Sequence, residues 1–176
     1  MKEKPKLNQL KSWIFDWGET LIVALVLALV IRAFFLQVFW IPSCSMEPTL
    51  NINDRIVVNK VIYYFRAPKR FEIMVFRGVG EPKKDLIKRI VGLPGEKLEL
   101  KKGVLYINDQ QITETHQINQ DNVNYGPVQI PNDSYFMMGD NRPFSADSRY
   151  FGFLPKKNII GPAILRIWPL TKIGLI

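Results

Sequence analysis

The chain has 176 residues, of which 47% are hydrophobic and 23% are charged, a composition that supports a packed core and excludes global disorder. Its length fits one domain plus an appendage. Its single cysteine and single histidine exclude an intrachain disulfide and a zinc site of the usual Cys/His kind.

The net charge of +8 suits either nucleic acid or an anionic membrane surface as a partner. No helix-turn-helix or zinc-finger pattern surrounds the basic residues, which are spread along the chain in pairs. We therefore expect membrane lipid as a partner and no nucleic acid.

Residues 1–12 are polar and basic, and a mostly apolar run follows over residues 13–40. A membrane-spanning helix needs about 20 mostly apolar residues, and this run supplies them. The alternative is a cleavable signal peptide, but such peptides have a shorter apolar core and small residues at the cut. We predict an uncleaved transmembrane anchor over 13–40, with a cytoplasmic N-terminus (1–12) because lysines precede the anchor.

Residues 41–50 (IPSCSMEPTL) directly follow this run and hold two serines, Ser43 and Ser45, between Pro42 and Pro48. Proline fixes φ and biases the preceding residue towards extended or turn geometry. The stretch is therefore predicted to be stiff and non-helical, so that it can hold a hydroxyl in a fixed direction. The alternative interpretation is a Ser/Pro linker that leaves the membrane helix.

After residue 50 the apolar pattern changes to a period of two with many β-branched and aromatic residues, which is typical of strands. Polar residues 113–127 are predicted to form a surface loop or insertion. Many short strands joined by turns indicate a mostly β body over residues 41–176. The predicted strands are 55–61, 71–76, 85–91, 97–100, 104–107, 111–112, 134–138 and 159–168.

A serine nucleophile needs a base that takes its hydroxyl proton. His116 lies in the polar loop, where a solvated histidine is expected, so a Ser-His-Asp triad is disfavoured. Lys88 is the other candidate, because burial lowers the pKa of a lysine. It shares a strand face with Leu86 and Ile90. The alternative is an edge-strand lysine that protects the sheet against aggregation.

A third stretch, residues 139–152, begins with a glycine that permits a tight turn. Within it, the Ser145 hydroxyl can hydrogen-bond a lysine amine and orient it. Asp147 and Arg149 are two residues apart, so they can pair on an extended segment. For these two residues a structural role is favoured.

Three sequence patterns now stand in order: SxSMxPTL at 43–50 after an anchor, KRIVGLPGE at 88–96, and GDNxxxSxDSRxxG at 139–152. Together they resemble bacterial type I signal peptidase, in its compact single-anchor form, over nearly the whole chain. The resemblance implies an antiparallel β-sheet catalytic body. It also implies six roles, namely Ser45 as nucleophile, Lys88 as general base, Ser43 in the oxyanion hole, Ser145 as the residue that orients the lysine, and Asp147 and Arg149 as structural support.

The same resemblance implies a serine endopeptidase that removes signal peptides from exported preproteins after small residues (A-x-A). No metal or cofactor is expected. The implied location is the bacterial plasma membrane, with a thylakoid membrane as the alternative, a single pass and the catalytic body on the outer side. Beyond preproteins and membrane lipid, the resemblance allows the protein translocation machinery as a partner.

Three positions depart from the pattern of this family: Cys44, Asn53 and Phe71 stand where glycine is frequent. A side chain disfavours positive φ, so Cys44 restricts the backbone conformations that are open to the predicted oxyanion turn.

Two rival interpretations are a cytoplasmic self-cleaving repressor with the same Ser/Lys chemistry and a non-catalytic, membrane-anchored β-domain that binds a partner. The predicted anchor argues against the repressor. The non-catalytic interpretation predicts that Ser45 and Lys88 do not meet.

Overall fold

The computed structural model describes residues 7–79 and 84–176, and their side chains except at 7–16 and 33. Residues 1–6 of the predicted cytoplasmic N-terminus lie outside the described residues. The chain divides into two compact units, Met1–Leu36 and Gln37–Ile176.

The first unit contains helix α1 (Leu7–Phe34), whose described central side chains are mainly exposed apolar residues such as Leu21 and Leu25. The apolar run continues to Trp40, but the helix ends at Phe34 and a strand follows. Aromatic and β-branched residues dominate this last stretch and favour extended backbone. Within the parts of the chain that are described, no helix is long and apolar enough to cross a membrane. The anchor over residues 13–40 stays a prediction.

The second unit is mostly β, as predicted, and its described residues include one short α-helix, α2 (Ser148–Phe151), and several 3₁₀ turns. The strands are β1 (Leu36–Trp40), β2 (Arg55–Asn59), β3 (Ile73–Arg77), β4 (Asp85–Gly92), β5 (Lys97–Lys101), β6 (Val104–Ile107), β7 (Gln110–Gln111), β8 (Tyr125–Gln129), β9 (Ser134–Met138), β10 (Leu154–Pro155), β11 (Ile159–Trp168) and β12 (Gly174–Leu175).

The strands form two sheets. The larger sheet has the order β1-β2-β11-β3-β4-β9-β10, with β12 paired to β11. The smaller sheet has the order β7-β6-β5-β8. The pairs from β2 through β10 in the larger sheet, and all pairs in the smaller one, are antiparallel. The strand pairs place β4 between β3 and β9, so both of its edges are hydrogen-bonded.

Three apolar clusters make up the core, and β4 contributes to each of them. Ile87 belongs to the cluster that also holds Met46 and Leu50 of the 41–50 stretch. Val91 belongs to the cluster between the two sheets. Ile90 belongs to the third cluster, with residues of β3 and β9. A strand anchored in this way holds its polar side chains at fixed positions.

The predicted strands match the observed ones to within a few residues at their ends, but residues 113–127 are not simply an exposed loop. Strand β8 begins at Tyr125, inside the predicted loop. Before this strand, less exposed and exposed residues alternate over 112–118. Within this segment, the side chains of Glu114 and His116 are only 7% and 13% exposed. The polar composition of residues 113–127 predicted exposed side chains. Glu114 and His116 are instead buried against charged and aromatic partners from other parts of the chain.

Two of the three departures from the family's glycines have a left-handed backbone. Asn53 has φ of 71° and Phe71 has φ of 70°. Glycine adopts such values without steric cost, whereas asparagine tolerates them and phenylalanine rarely does. Cys44 is not among the described non-glycine residues with positive φ. Its side chain is therefore compatible with the backbone of the turn it occupies.

Candidate active site

Ser45 and Lys88 meet in the body of the protein. Lys88 Nζ donates a hydrogen bond to Ser45 Oγ at 2.6 Å, across 43 residues of sequence. Both residues are buried, with 5% and 4% of their surfaces exposed. A serine hydroxyl at this distance from an amine can lose its proton to that amine once the amine is neutral.

Ser45 lies on a short 3₁₀ turn, Cys44–Met46, that is fixed from two sides. On one side, Met46 and Leu50 are fully buried and carry the turn into the core. On the other side, the Asn141 backbone N–H donates to the Ser45 carbonyl at 3.1 Å, and Asn141 Nδ2 donates to the Cys44 carbonyl at 3.0 Å. The prediction that the whole stretch is non-helical is therefore wrong at Cys44–Met46, which form one 3₁₀ turn whose backbone is held in place around Ser45.

Lys88 projects from β4, where Met74 of β3 is its cross-strand partner. Burial lowers the pKa of Lys88 from 10.5 to about 8, although the nearby carboxylates Asp147 and Asp140 act in the opposite direction. The neutral amine is therefore well populated in the mildly alkaline range, where an ordinary lysine is still charged.

Ser43 lies two residues before Ser45 and is exposed. Its Oγ is 3.4 Å from Ser45 Oγ, which is a long contact for a hydroxyl pair. The two hydroxyls therefore lie next to each other at the start of the 3₁₀ turn.

Ser145 is buried near the same point, but its hydroxyl has no hydrogen-bond partner among the described side chains and backbone. Ser145 Oγ and the Ser45 carbonyl oxygen both lie less than 3.0 Å from where a Cβ on Gly139 would be. Glycine is therefore required at position 139, because any side chain there would displace one of these two serines. No hydrogen bond joins Ser145 to Lys88 among the described contacts.

Asp147 and Arg149 lie together as a two-pronged pair, with Nε–Oδ1 at 2.8 Å and a second bond at 2.9 Å. Asp147 also accepts from the Arg149 backbone N–H at the start of α2 and from the Gly139 backbone N–H at 3.1 Å. The pair therefore fixes the chain on both sides of Ser145.

A second buried ion pair was not predicted from the sequence. Arg89 binds Asp140 through Nε at 2.8 Å and a second nitrogen at 2.6 Å, and Thr49 Oγ1 donates to the same carboxylate at 2.5 Å. The signal was available, because Arg89 alternates with Lys88 on a strand whose other face is also apolar. A buried guanidinium needs a carboxylate partner, and the 139–152 stretch supplied one.

The hypothesis of a solvated His116 is wrong. Its ring packs against Phe71 with centroids 5.2 Å apart, and both ring nitrogens are buried without a hydrogen bond among the described groups. Nε2 lies 3.5 Å from Glu114 and 3.7 Å from Asp140. Burial, and then the charge of Arg89, lower the pKa of His116, so the neutral ring is favoured.

Known proteins resemble this chain over most of its length. A family model described as "Signal peptidase, peptidase S26" matches residues 14–168. "Probable signal peptidase I-2" of Synechocystis is 41% identical, covering 99% of this chain and 81% of its own. "Signal peptidase I" of Bacillus amyloliquefaciens is 38% identical and covers 98% of both chains.

A crystal structure of a signal peptidase I from Enterococcus faecalis is 31% identical and covers 55% of this chain and 97% of its own, with a TM-score of 0.48. The family and relative matches confirm the predicted resemblance and the prediction of a serine endopeptidase. The chain belongs to the signal peptidase family, peptidase S26.

Proposed function

We propose that this protein is a membrane-anchored endopeptidase that cleaves signal peptides from exported preproteins, with Ser45 as nucleophile and Lys88 as general base. The observation that carries the proposal is the 2.6 Å contact between Lys88 Nζ and Ser45 Oγ. A non-catalytic β-domain has no use for a buried lysine that faces a serine hydroxyl. Burying such an amine costs free energy, so a buried lysine amine indicates a functional role.

In the proposed reaction, Ser45 Oγ attacks the carbonyl carbon of the scissile bond while its proton passes to neutral Lys88 Nζ. The carbonyl oxygen becomes an oxyanion. When the carbon–nitrogen bond breaks, Lys88 gives the proton to the leaving amine. Water then attacks the Ser45 ester, with Lys88 again as base, and releases the acyl group.

The oxyanion is proposed to bind the Ser43 hydroxyl and the Ser45 backbone N–H. The support is the position of Ser43 Oγ, which is exposed and 3.4 Å from the attacking oxygen. One such donor contributes about 3–4 kcal/mol to transition-state stabilisation in comparable sites. The A-x-A preference is carried over from the family, whose small pockets accept the residues one and three before the cut.

Residues 13–40 are proposed to anchor the enzyme in the bacterial plasma membrane, or alternatively in a thylakoid membrane, with residues 1–12 in the cytoplasm. Membrane lipid and the translocation machinery are the proposed partners besides preproteins. The exposed apolar side chains of α1, such as Leu21 and Leu25 at 65% and 61%, support the anchor.

Protease added outside intact spheroplasts should digest residues 41–176, and complete protection of this body would contradict the topology.

The Ser45 hydroxyl is expected to be essential. Purified full-length protein in detergent should cleave a preprotein at its A-x-A site, and Ser45→Ala should reduce the rate at least about 1,000-fold. The measurement is the mass of the two products over time. Cys44→Ala is the matched control, because it removes the neighbouring thiol and should keep most activity. A loss in Cys44→Ala as deep as in Ser45→Ala would overturn the assignment.

Lys88 is expected to set the pH dependence. Below its pKa of about 8 the amine is protonated and cannot accept the Ser45 proton, so kcat/KM should fall about tenfold per pH unit below that value. Above it, the rate should level off. Lys88→Arg should be inactive across this range, because a guanidinium stays protonated. A pH–rate series on both proteins tests this, and wild-type turnover by Lys88→Arg would exclude Lys88 as the base.

Ser145 is proposed to orient the Lys88 amine during the reaction. The support is a buried Ser145 hydroxyl that lacks a described partner and lies beside the same glycine as the Ser45 carbonyl. Ser145→Ala should keep nucleophile and base but loosen the amine, lowering kcat more than it raises KM. Steady-state kinetics with a preprotein separates the two constants. An unchanged kcat would remove Ser145 from the mechanism.

A further inference from the structure

Residues 112–121, here called the strap, run beside the turn formed by residues 139–142 and pair with it through a parallel β-bridge between Asn119 and Asn141. Over residues 112–118, the less exposed residues Ile112, Glu114, His116 and Ile118 alternate with exposed residues. Side chains on one face of an extended segment recur with a period of two, so this pattern marks an inward face. The inward face carries two titratable side chains, Glu114 and His116, which the proposed mechanism does not use.

The strap is bonded to the turn at Asn119 and Glu114, and to Arg149 beyond the turn at Asp121. The Asn119 backbone N–H donates to the Asp140 carbonyl at 2.9 Å, and the Asn119 carbonyl accepts from the Arg142 N–H at 3.0 Å. The Glu114 carboxylate pairs with the Arg142 guanidinium. Asp121 accepts from Arg149 at 2.6 Å.

The turn, for its part, holds the nucleophile. Arg142 Nε donates to the Gly139 carbonyl at 3.1 Å, so the guanidinium closes the turn on itself. Between these two residues, Asn141 donates from its backbone to the Ser45 carbonyl and from its side chain to the Cys44 carbonyl. A continuous set of contacts therefore leads from Glu114, through Arg142 and Asn141, to the backbone of Ser45.

The electrostatics of this set depend on Glu114. The Arg142 side chain is 1% exposed, and the Glu114 side chain 7%. A guanidinium keeps its proton even when buried, so it needs a counter-charge. Among the described salt bridges of Arg142, Glu114 is the carboxylate that provides it. Without the Glu114 charge, a movement of Arg142 and of the turn that carries it towards water would lower the free energy of the guanidinium.

We propose that Glu114 is a positioning residue, which fixes the 139–142 turn through Arg142 and thereby holds Ser45 in its attacking position. The inference rests on the proposed function of Ser45 as nucleophile. Glu114 acts at a distance and does not touch the reacting atoms. Its loss should therefore lower turnover, with little effect on the affinity for a preprotein.

The test compares Glu114→Gln with Glu114→Asp and Glu99→Gln in the full-length protein in detergent. Glu114→Gln keeps the shape but removes the charge, whereas Glu114→Asp keeps the charge. Glu99 is the matched control, because it pairs with the largely exposed Lys101 on the smaller sheet. We expect kcat to fall about tenfold in Glu114→Gln with KM changed less than about twofold, most activity to return in Glu114→Asp, and Glu99→Gln to resemble wild type.

A second readout does not depend on cleavage. In protein labelled with ¹⁵N-serine, the Ser45 amide resonance is assigned by its loss in Ser45→Ala. It should shift in Glu114→Gln and stay in place in Glu99→Gln. An unmoved Ser45 resonance, or a wild-type kcat with only a lower melting temperature, would overturn the positioning role. Failure of the proposed function would look different, because wild-type protein itself would then show no Ser45-dependent cleavage.

Discussion

Burial of the Lys88 amine against the Ser45 hydroxyl is the constraint on which the rest of the site depends. The pKa falls from 10.5 to about 8, which corresponds to about 3 kcal/mol of disfavour for the charged form. A strand that was free to shift would escape this penalty by moving its lysine into water. Strand β4 cannot do so, because β3 and β9 hydrogen-bond both of its edges and apolar residues flank the lysine.

The two carboxylates that act most strongly on the pKa of Lys88 are each paired with an arginine. Asp147 and Asp140 both raise the pKa of Lys88 and so favour its charged form. Each carboxylate is bound in two-pronged fashion by an arginine, Arg149 and Arg89 respectively. A carboxylate that is already paired attracts a second cation less, since the arginine offsets its charge. The arginines thus let the carboxylates fix the backbone near Lys88 without holding the lysine protonated.

Local sequence patterns predicted eight of the twelve described strands, because alternation and turn residues are encoded within a few positions. They also singled out Ser45 and Lys88, which meet at the site. Strands β1, β8, β10 and β12 were not predicted. The strap was missed, since a glutamate and a histidine in a polar stretch look solvated until their partners are known. Those partners, Arg142 and Phe71, lie 28 and 45 residues away, outside any window of periodicity. The pairing of Arg89 with Asp140 was missed for the same reason, although both residues lie within motifs that had been singled out.

Ser45 and Lys88, the proposed nucleophile and base, are held by different means. Lys88 lies on β4, and other residues of this strand belong to all three apolar clusters, so packing sets the position of Lys88. Ser45 stands on a short turn, and its backbone is held by Met46 and Leu50 in the core and by hydrogen bonds from Asn141. Packing is stiff, whereas a turn shifts when its hydrogen-bond partners move. Small changes in the alignment of the Ser45 hydroxyl with the Lys88 amine should therefore arise on the side of Ser45, through the turn that carries Asn141 and the strap bonded to it.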